Sequence, residues 1–257
     1  MKFYKPKFWD KRDHISLFSI LLFPISLIII IKNYYEDSKP KKNYYDFRTI
    51  CVGNIYIGGT GKTPLVNNLT NHLKKKNKTF IIKKNYFSHE DEKKMLESKH
   101  KVIFEKTRKE SLLKAEQEKA KIVIFDDGLQ EKTINYDLKI VCFNSLKLDG
   151  NGHVIPAGPL REKLNSLKDY DVVLINGNTN KETKSFIDKI KNINPNLKIF
   201  MGKYVPKNFS NLKKKKFFAF SGIGNPHTFF DTLKSLKIKL VDYKKFPDHY
   251  NYTDKDL

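Results

Sequence analysis

The hydrophobic positions of this chain form one uninterrupted block near the N-terminus, followed by short apolar runs between lysine-rich segments. The block, residues 15–31, is 17 consecutive residues without a charge. As a helix it would be about 26 Å long, close to the roughly 30 Å of a bilayer's hydrocarbon core. The pattern predicts a membrane anchor that either spans the bilayer or lies in its interface. A cleaved signal peptide and a buried core helix are the alternatives; the missing small-residue cleavage site and the all-round apolarity count against them.

The apolar runs after the anchor have the lengths of strands and helices. Residues 48–57, RTICVGNIYI, are rich in β-branched side chains and predict a buried strand. Residues 64–76 predict a helix that begins at Pro64, a favoured first-turn residue, and ends in a lysine run. Residues 171–178, DVVLINGN, predict a further strand.

A glycine-rich turn joins the first predicted strand to the first predicted helix, in the stretch ICVGNIYIGGTGKTP. The pattern G-x-x-x-x-G-K-[ST] of a phosphate-binding loop would place a glycine where this chain has Tyr56. The glycines still allow backbone N–H groups to converge on phosphate oxygens, Lys62 can reach the β- and γ-phosphates, and the Thr63 hydroxyl can hold Mg²⁺. The predicted nucleotide-binding residues are Tyr56, Ile57, Gly58, Gly59, Thr60, Gly61, Lys62 and Thr63.

A second apolar run, KIVIFDDGLQ at residues 121–130, ends in two carboxylates. Acidic residues at the C-terminal end of a parallel strand near a phosphate loop are where a side chain that supports Mg²⁺ is found. Asp126 is the better candidate for this role and Asp127 the second; a plain Asp-Asp-Gly turn is the alternative. Together with the loop, the pair predicts a site for a nucleoside triphosphate and Mg²⁺.

Composition changes this picture little. The formal charge is +22, but only four of the 50 basic residues are arginine, the lysines are spread along the chain, and the sequence has no RNA-binding signature or zinc-finger spacing. We therefore expect no nucleic-acid partner, and a basic surface beside anionic lipid headgroups is an equally good use of the charge. Cys51 and Cys142 lie in apolar runs and are interpreted as buried thiols.

Five ordered motifs resemble the tetraacyldisaccharide 4′-kinase family of lipid A biosynthesis, and the resemblance covers nearly the whole chain. The first is the loop itself, in which that family normally carries a non-glycine residue at the first position. The motifs are VGNIYIGGTGKTP (52–64), DDGLQ (126–130), GNGHVIPAGPLRE (150–162), FSGIGNPHTFFDTL (220–233) and FPDHYNYTDKDL (246–257). The N-terminal apolar helix also fits the family.

The resemblance implies an enzyme that transfers the γ-phosphate of ATP, with Mg²⁺, to the 4′-hydroxyl of a tetraacylated disaccharide 1-phosphate. The product would be lipid IVA, made at the cytoplasmic face of the bacterial inner membrane. The implied partners are the phosphorylated, acylated disaccharide and the membrane, with no obligate protein partner. A membrane anchor would hold the enzyme where an acylated substrate lies.

The resemblance also implies a catalytic pair in addition to Lys62. Carried over to this sequence, the family's pair falls on Asp91 in SHEDEKK and on His249 in FPDHY. The block around His249 matches the family closely, whereas the glycine and proline that flank the family's acidic residue are absent around Asp91. A solvated, charged helix start is the alternative interpretation of the acidic stretch, in which Glu90 or Glu92 could also be the partner.

The expected architecture is α/β, with a P-loop-type, mostly parallel sheet flanked by helices and a smaller second α/β domain. The predicted bounds are 1–42 for the anchor and linker, 43–205 for the kinase domain and 206–257 for the second domain. Asp91 would come from the first domain and His249 from the second, so we expect the active site in the cleft between them. Family members continue beyond the position of Leu257, so the chain is either a shortened enzyme or an incomplete sequence.

Two other functions agree with parts of the sequence. One is a membrane-tethered P-loop ATPase or GTPase that acts as a regulator, although the Asn-Lys-x-Asp motif of guanine specificity is absent. The other is a catalytically inactive relic that binds lipid, since several family motifs are altered: the family's Ser-Arg-Gly-Tyr element is KKNY here, at residues 83–86.

Overall fold

The computed structural model describes residues 5–12, 16–41, 45–84, 90–205, 212, 215–223, 226–247, 250, 252–253 and 256, and of residues 90–92 only the backbone. The chain divides into two compact units. The larger unit contains a seven-stranded sheet with its helices, and the smaller one contains a two-stranded sheet with one helix.

All seven strands of the large sheet pair in parallel, in the order β3-β2-β4-β1-β5-β6-β7. The strands are β1 (Arg48–Gly53), β2 (Thr79–Lys83), β3 (Lys101–Ile103), β4 (Ile122–Asp126), β5 (Leu138–Asn144), β6 (Val172–Asn176) and β7 (Lys198–Gly202). Because parallel strands need crossover connections, helices lie between most of them and cover both faces. The predicted parallel α/β fold is confirmed.

Each face of the sheet has its own hydrophobic core, because successive strand residues point to opposite sides. In β1, Cys51 joins the larger core and Val52 the smaller one. The helices of this unit are α1 (Leu17–Asp37), α2 (Lys62–Leu73), α3 (Glu90–Glu97), α4 (Arg108–Gln117) and α5 (Lys181–Ile193). Helix α2 packs on the smaller core through Val66, whereas α4 and α5 pack on the larger one.

The two cysteines are free thiols buried within this sheet, as predicted. Burial raises the pKa of Cys51 to about 12, and it raises the pKa of Cys142 to about 12 as well. Both thiols therefore stay protonated and unreactive at neutral pH.

Helix α1 is long and apolar enough to cross a membrane, a test that a signal sequence or a core helix also passes. It is docked on the rest of the larger unit by a polar stripe of three residues spaced seven apart. Ser26 donates to the Val154 carbonyl at 2.8 Å, while the Asn33 side chain donates to the Arg161 carbonyl at 2.9 Å. The third member, Ser19, accepts from the Asn151 amide at 3.2 Å.

Most of the α1 side chains that point away from this stripe are apolar and exposed. Its outward side chains include Leu17, Phe18, Ile20, Leu21, Phe23, Ile25, Leu27, Ile28, Ile31, Tyr34 and Tyr35. The helix therefore has two different faces, although its sequence is apolar nearly throughout.

The smaller unit is a single β-α-β element. Strands β8 (Lys216–Ser221) and β9 (Lys239–Lys245) pair in parallel, and α6 (Pro226–Ser235) connects them. Phe230 of α6 packs on Tyr243 of β9, and Phe220 of β8 lies against Phe246.

Candidate nucleotide and metal site

The glycine-rich turn lies between β1 and α2, at the carboxyl end of the sheet. Gly58 and Gly61 have φ of 108° and 87°, left-handed conformations that favour glycine. Gly61 is the N-cap of α2, so the helix begins at Lys62 rather than at the predicted Pro64. Pro64 falls within the first turn, where its missing N–H is tolerated. The N-terminal N–H groups of a helix that begins in this way commonly bind phosphate in other proteins.

Two asparagine side chains hold the carbonyl groups of the loop. Asn54, buried at the end of β1, donates to the carbonyls of Tyr56 and Gly58 at 2.5 and 3.2 Å. Asn176, the last residue of β6, donates to the Thr60 carbonyl at 2.6 Å. The Thr60 hydroxyl is buried and finds no hydrogen-bond partner among the described residues. Neither amide was predicted from the sequence.

Tyr56 packs away from the loop, towards α1. Its side chain is only 3% exposed, and its hydroxyl donates to Asp10 Oδ1 at 2.5 Å. The ring belongs to a small hydrophobic cluster with Val154 and Leu160, against which Ile29 and Ile30 of α1 also pack. The tyrosine at the first loop position thus contributes to the packing under α1.

Asp126 ends β4 beside the loop and is 2% exposed. The parallel register places it opposite Val52 of β1 on one side and Lys83 of β2 on the other. Its Oδ2 atom lies 3.3 Å from the Thr63 hydroxyl and 2.9 Å from Lys83 Nζ. The structure therefore brings Thr63 and Asp126 together, and it adds Lys83, which the sequence analysis had not selected.

Asp127 has a left-handed backbone with φ of 65° and turns its carboxylate towards other cations. Arg161 Nη1 donates to Asp127 Oδ1 at 2.8 Å, and Lys62 Nζ lies 3.9 Å from Oδ2. Arg108 donates to the Asp127 carbonyl at 2.9 Å. Asp127 thus lies between the loop lysine and Arg161, and its role as a metal ligand stays a prediction.

The donors present fit a magnesium ion. The Thr63 hydroxyl and the Asp126 carboxylate are hard oxygen ligands next to the helix end that would hold phosphates, and Mg²⁺ prefers such oxygens. Within the described part of the chain, no three His, Cys, Asp or Glu side chains form a metal-binding group. In phosphoryl-transfer enzymes Mg²⁺ usually takes much of its shell from nucleotide phosphates and water.

The segment 150–162 connects the loop to α1. The N–H of Arg161 donates to the Ile55 carbonyl at 2.7 Å, and the N–H of Ile57 donates to the Pro159 carbonyl at 2.9 Å. Glu162 is buried; it accepts from Lys132 at 2.8 Å and from the Tyr170 hydroxyl at 2.6 Å. Lys132 also lies 3.2 Å from Asp37 at the end of α1.

Asp91 lies in the first turn of α3, with only its backbone described, and His249 lies outside the described residues. The far end of α3 is attached to the helix that follows the phosphate loop, because His100 Nε2 lies 2.7 Å from the side-chain oxygen of Asn67. Burial and the nearby Lys74 and Lys99 lower the pKa of His100, which favours the neutral form of its ring.

Comparison with solved structures supports the same architecture. A crystal structure of the "apo" form of LpxK from Aquifex aeolicus in complex with ATP matches with a TM-score of 0.70 and 24% sequence identity. The match covers 93% of this chain and 84% of that one. At this identity the likeness establishes a shared fold.

Sequence relatives are closer. The tetraacyldisaccharide 4′-kinase of Pelagibacter ubique is 47% identical over 260 residues, with all of this chain and 82% of the relative aligned. That of Rickettsia akari is 40% identical over 277 residues, at the same coverage of each chain. The family model described as tetraacyldisaccharide-1-P 4′-kinase matches residues 17–257. The chain therefore belongs to the tetraacyldisaccharide-1-P 4′-kinase family.

Proposed function

We propose that this protein is an ATP-dependent kinase that phosphorylates the 4′-hydroxyl of a tetraacylated disaccharide 1-phosphate, and so forms lipid IVA. The observation that carries the proposal is the phosphate loop, in which Lys62 and the Thr63–Asp126 pair meet at one helix end. The substrate is assigned from membership of the family. The assignment of ATP as the phosphate donor rests on the parallel sheet and its phosphate loop.

Phosphoryl transfer requires neutralisation of charge on the transferring group more than covalent participation by the protein. The N–H groups at the start of α2 and the ammonium of Lys62 bind the β- and γ-phosphates. Thr63 and Asp126 would hold Mg²⁺, and the ion would supply neutralisation of the phosphate charge. Arg161 and Asp127 orient Lys62 through their ion pairs.

The acceptor hydroxyl also needs a group that takes its proton. We assign this role to His249, with Asp91 as the carboxylate that orients and balances it, because both positions correspond to the family's catalytic pair. The 4′-oxygen then bonds to the γ-phosphorus, the bond to the β-phosphate oxygen breaks, ADP leaves, and the proton passes to His249.

Helix α1 would contact the membrane by lying in the interface of the cytoplasmic leaflet. A spanning helix would leave Ser19, Ser26 and Asn33 in hydrocarbon and would lose the hydrogen bonds that they make with segment 150–162. A helix lying flat keeps these bonds and buries only its outward apolar face. The surrounding lysines would favour anionic lipids.

The direct test is a kinase assay of the protein in mixed micelles or vesicles with ATP, Mg²⁺ and tetraacyldisaccharide 1-phosphate. Mass spectrometry of the lipid should show a gain of one phosphate, located at the 4′ position. GTP in place of ATP separates the kinase from a GTPase-type regulator. Bound nucleotide without any transferred phosphate would instead favour an inactive relic.

The proposed catalytic pair, Asp91 and His249, has a separate test. Asp91→Ala and His249→Ala should each lower kcat strongly with little change in ATP affinity, and the double variant should be hardly worse than either single one. The pH–rate profile should rise near the histidine pKa, roughly 6 to 7. Additive losses would assign the two residues separate roles, and an inert Asp91→Ala would point to Glu90 or Glu92.

A further inference from the structure

Lys83 is a buried lysine in the candidate metal site. It ends β2, its side chain is 9% exposed, and its Nζ lies 2.9 Å from Asp126 Oδ2. Lysine is almost never buried to this extent unless it is paired with an opposite charge. The pairing follows from the sheet, because β2 and β4 are neighbours in a register that sets Lys83 beside Asp126.

The ammonium group of Lys83 approaches the same carboxylate oxygen as the Thr63 hydroxyl, which lies 3.3 Å from Asp126 Oδ2. This is the oxygen that faces the loop and that a magnesium ion held by Thr63 would meet. An ammonium and a divalent cation at neighbouring positions repel each other, and in a site with little water the repulsion is only weakly screened.

We propose that the ammonium group of Lys83 is a permanent positive charge within the metal site. In the nucleotide-free protein it balances and orients Asp126, and it disfavours the binding of free metal ions to that carboxylate. Metal then binds well only together with the nucleotide, whose phosphates carry more negative charge than one Mg²⁺ neutralises and so offer the ammonium a new partner. The inference rests on the proposed function, since it assumes that a metal–nucleotide complex binds here.

The physical reason for such a residue is the burial of Asp126. A buried carboxylate without a cation is strongly disfavoured, so an Asp126 that waited for metal alone would destabilise the empty protein. Lysine meets this need on a flexible stem whose head can move by the small distance that separates a carboxylate from a bound phosphate.

The test compares metal binding by the full chain and by Lys83→Met, without nucleotide. Mn²⁺ is the probe, because the free ion can be titrated by electron paramagnetic resonance. We expect Lys83→Met to bind Mn²⁺ about tenfold more tightly or better, since one neighbouring positive charge is removed. Lys78→Met, on the exposed residue that precedes the same strand, should bind Mn²⁺ as the parent does.

Lys83→Gln separates the effect of the positive charge from that of the hydrogen bond to Asp126. It also replaces Lys83→Met if that variant does not fold. The glutamine amide can still donate to Asp126 but carries no charge, so this variant should also bind Mn²⁺ more tightly. Thermal unfolding should show Lys83→Met less stable than the parent without metal and more strongly stabilised by Mg²⁺. Mn²⁺ affinities of both variants within about twofold of the parent, or weaker, would overturn the proposal.

A separate titration with a fluorescent ATP analogue and Mg²⁺ keeps this proposal distinct from the proposed function. A parent protein that binds no nucleotide would contradict the kinase assignment, whereas the metal-only titration would still decide whether Lys83 competes with metal for Asp126.

Discussion

The phosphate loop and helix α1 are the two most conspicuous features of the sequence, and they depend on tertiary structure in different degrees. The loop is short and glycine-rich, and its function resides in backbone N–H groups, so its local sequence comes close to specifying its shape. Helix α1 is apolar nearly throughout, and its three polar residues spaced seven apart mark one side without showing what that side contacts. The contacts with segment 150–162 show which side of the helix is docked.

The two regions are nevertheless joined. Tyr56 at the start of the loop packs against Ile29 and Ile30 of α1, while segment 150–162 bonds to the loop on one side and to the helix on the other. Substitutions in the loop should therefore change nucleotide chemistry, and those on the inner face of α1 should change stability. Those on its outer face should change membrane binding alone.

The largest effect is expected at the loop. Lys62→Ala removes the loop side chain that reaches the transferring phosphate, and turnover should fall by about a thousandfold or more. Single-turnover phosphate transfer from labelled ATP measures this loss. The exposed Lys75→Ala, on the lysine run beyond α2, is the matched control. Near-normal activity of Lys62→Ala would show that the loop does not hold the nucleotide.

The next largest effect is expected at Lys132, which lies close to Asp37 at the end of α1. Lys132→Met leaves Glu162 buried without its cation, which should lower the free energy of unfolding by about 3–5 kcal/mol. Urea denaturation at neutral pH measures the change, with the exposed Lys168→Met as the control. Equal stability of parent and variant would mean that the pair adds nothing to the docking of α1.

The same ion pair predicts a dependence on pH. Burial lowers the pKa of Lys132, but Glu162 and Asp37 act in the opposite direction and raise it above its ordinary value overall. A raised pKa in the folded state means that the contribution is complete below about pH 10.4 and is lost as the pH rises through the folded value. The stability difference between parent and Lys132→Met should therefore shrink as the solution becomes strongly alkaline.

A smaller effect is expected at Asn176, whose side-chain amide at the end of β6 bonds to the phosphate loop. Asn176→Ala removes the donor to the Thr60 carbonyl and should weaken nucleotide binding by about tenfold, since an unmade buried hydrogen bond costs about 1–3 kcal/mol. Isothermal titration with ATP measures the affinity. The exposed Asn178→Ala should bind as the parent does, and an unchanged Asn176→Ala would show that the loop keeps its shape without help.

The smallest effects separate the two faces of α1. Ser26→Ala on the inner face should cost about 1 kcal/mol of stability and leave vesicle binding unchanged. Ile28→Ser on the outer face, where the side chain is 67% exposed, should weaken vesicle binding about tenfold and leave stability unchanged. Co-sedimentation with anionic vesicles and thermal unfolding measure the two quantities. A spanning helix would give the opposite result for Ser26, whose replacement would then not destabilise the protein.

Much of the site was predictable because its parts are consecutive in the chain. The loop from Gly58 to Thr63 and the carboxylates after β4 follow apolar runs directly, and parallel strands bring their carboxyl ends to one edge. The ends of the elements were less predictable. The strand expected over 48–57 stops at Gly53, because Asn54 bonds to the loop carbonyls, and α2 starts two residues early because Gly61 serves as its cap.

The sequence by itself determined the α/β class, the phosphate loop, the Thr63–Asp126 pair and an apolar N-terminal helix, since each depends on periodicity or on neighbours in the chain. Tertiary structure alone decided which strands are adjacent. It placed Lys83 next to Asp126, although 43 positions separate them, and brought Asn176 to a carbonyl 116 positions away. It likewise decided which side of α1 is docked, because the three polar residues of that helix find their partners more than 120 positions further on. Strand order and docking depend on contacts between distant segments, and local patterns of hydrophobic and polar residues do not encode which segments meet.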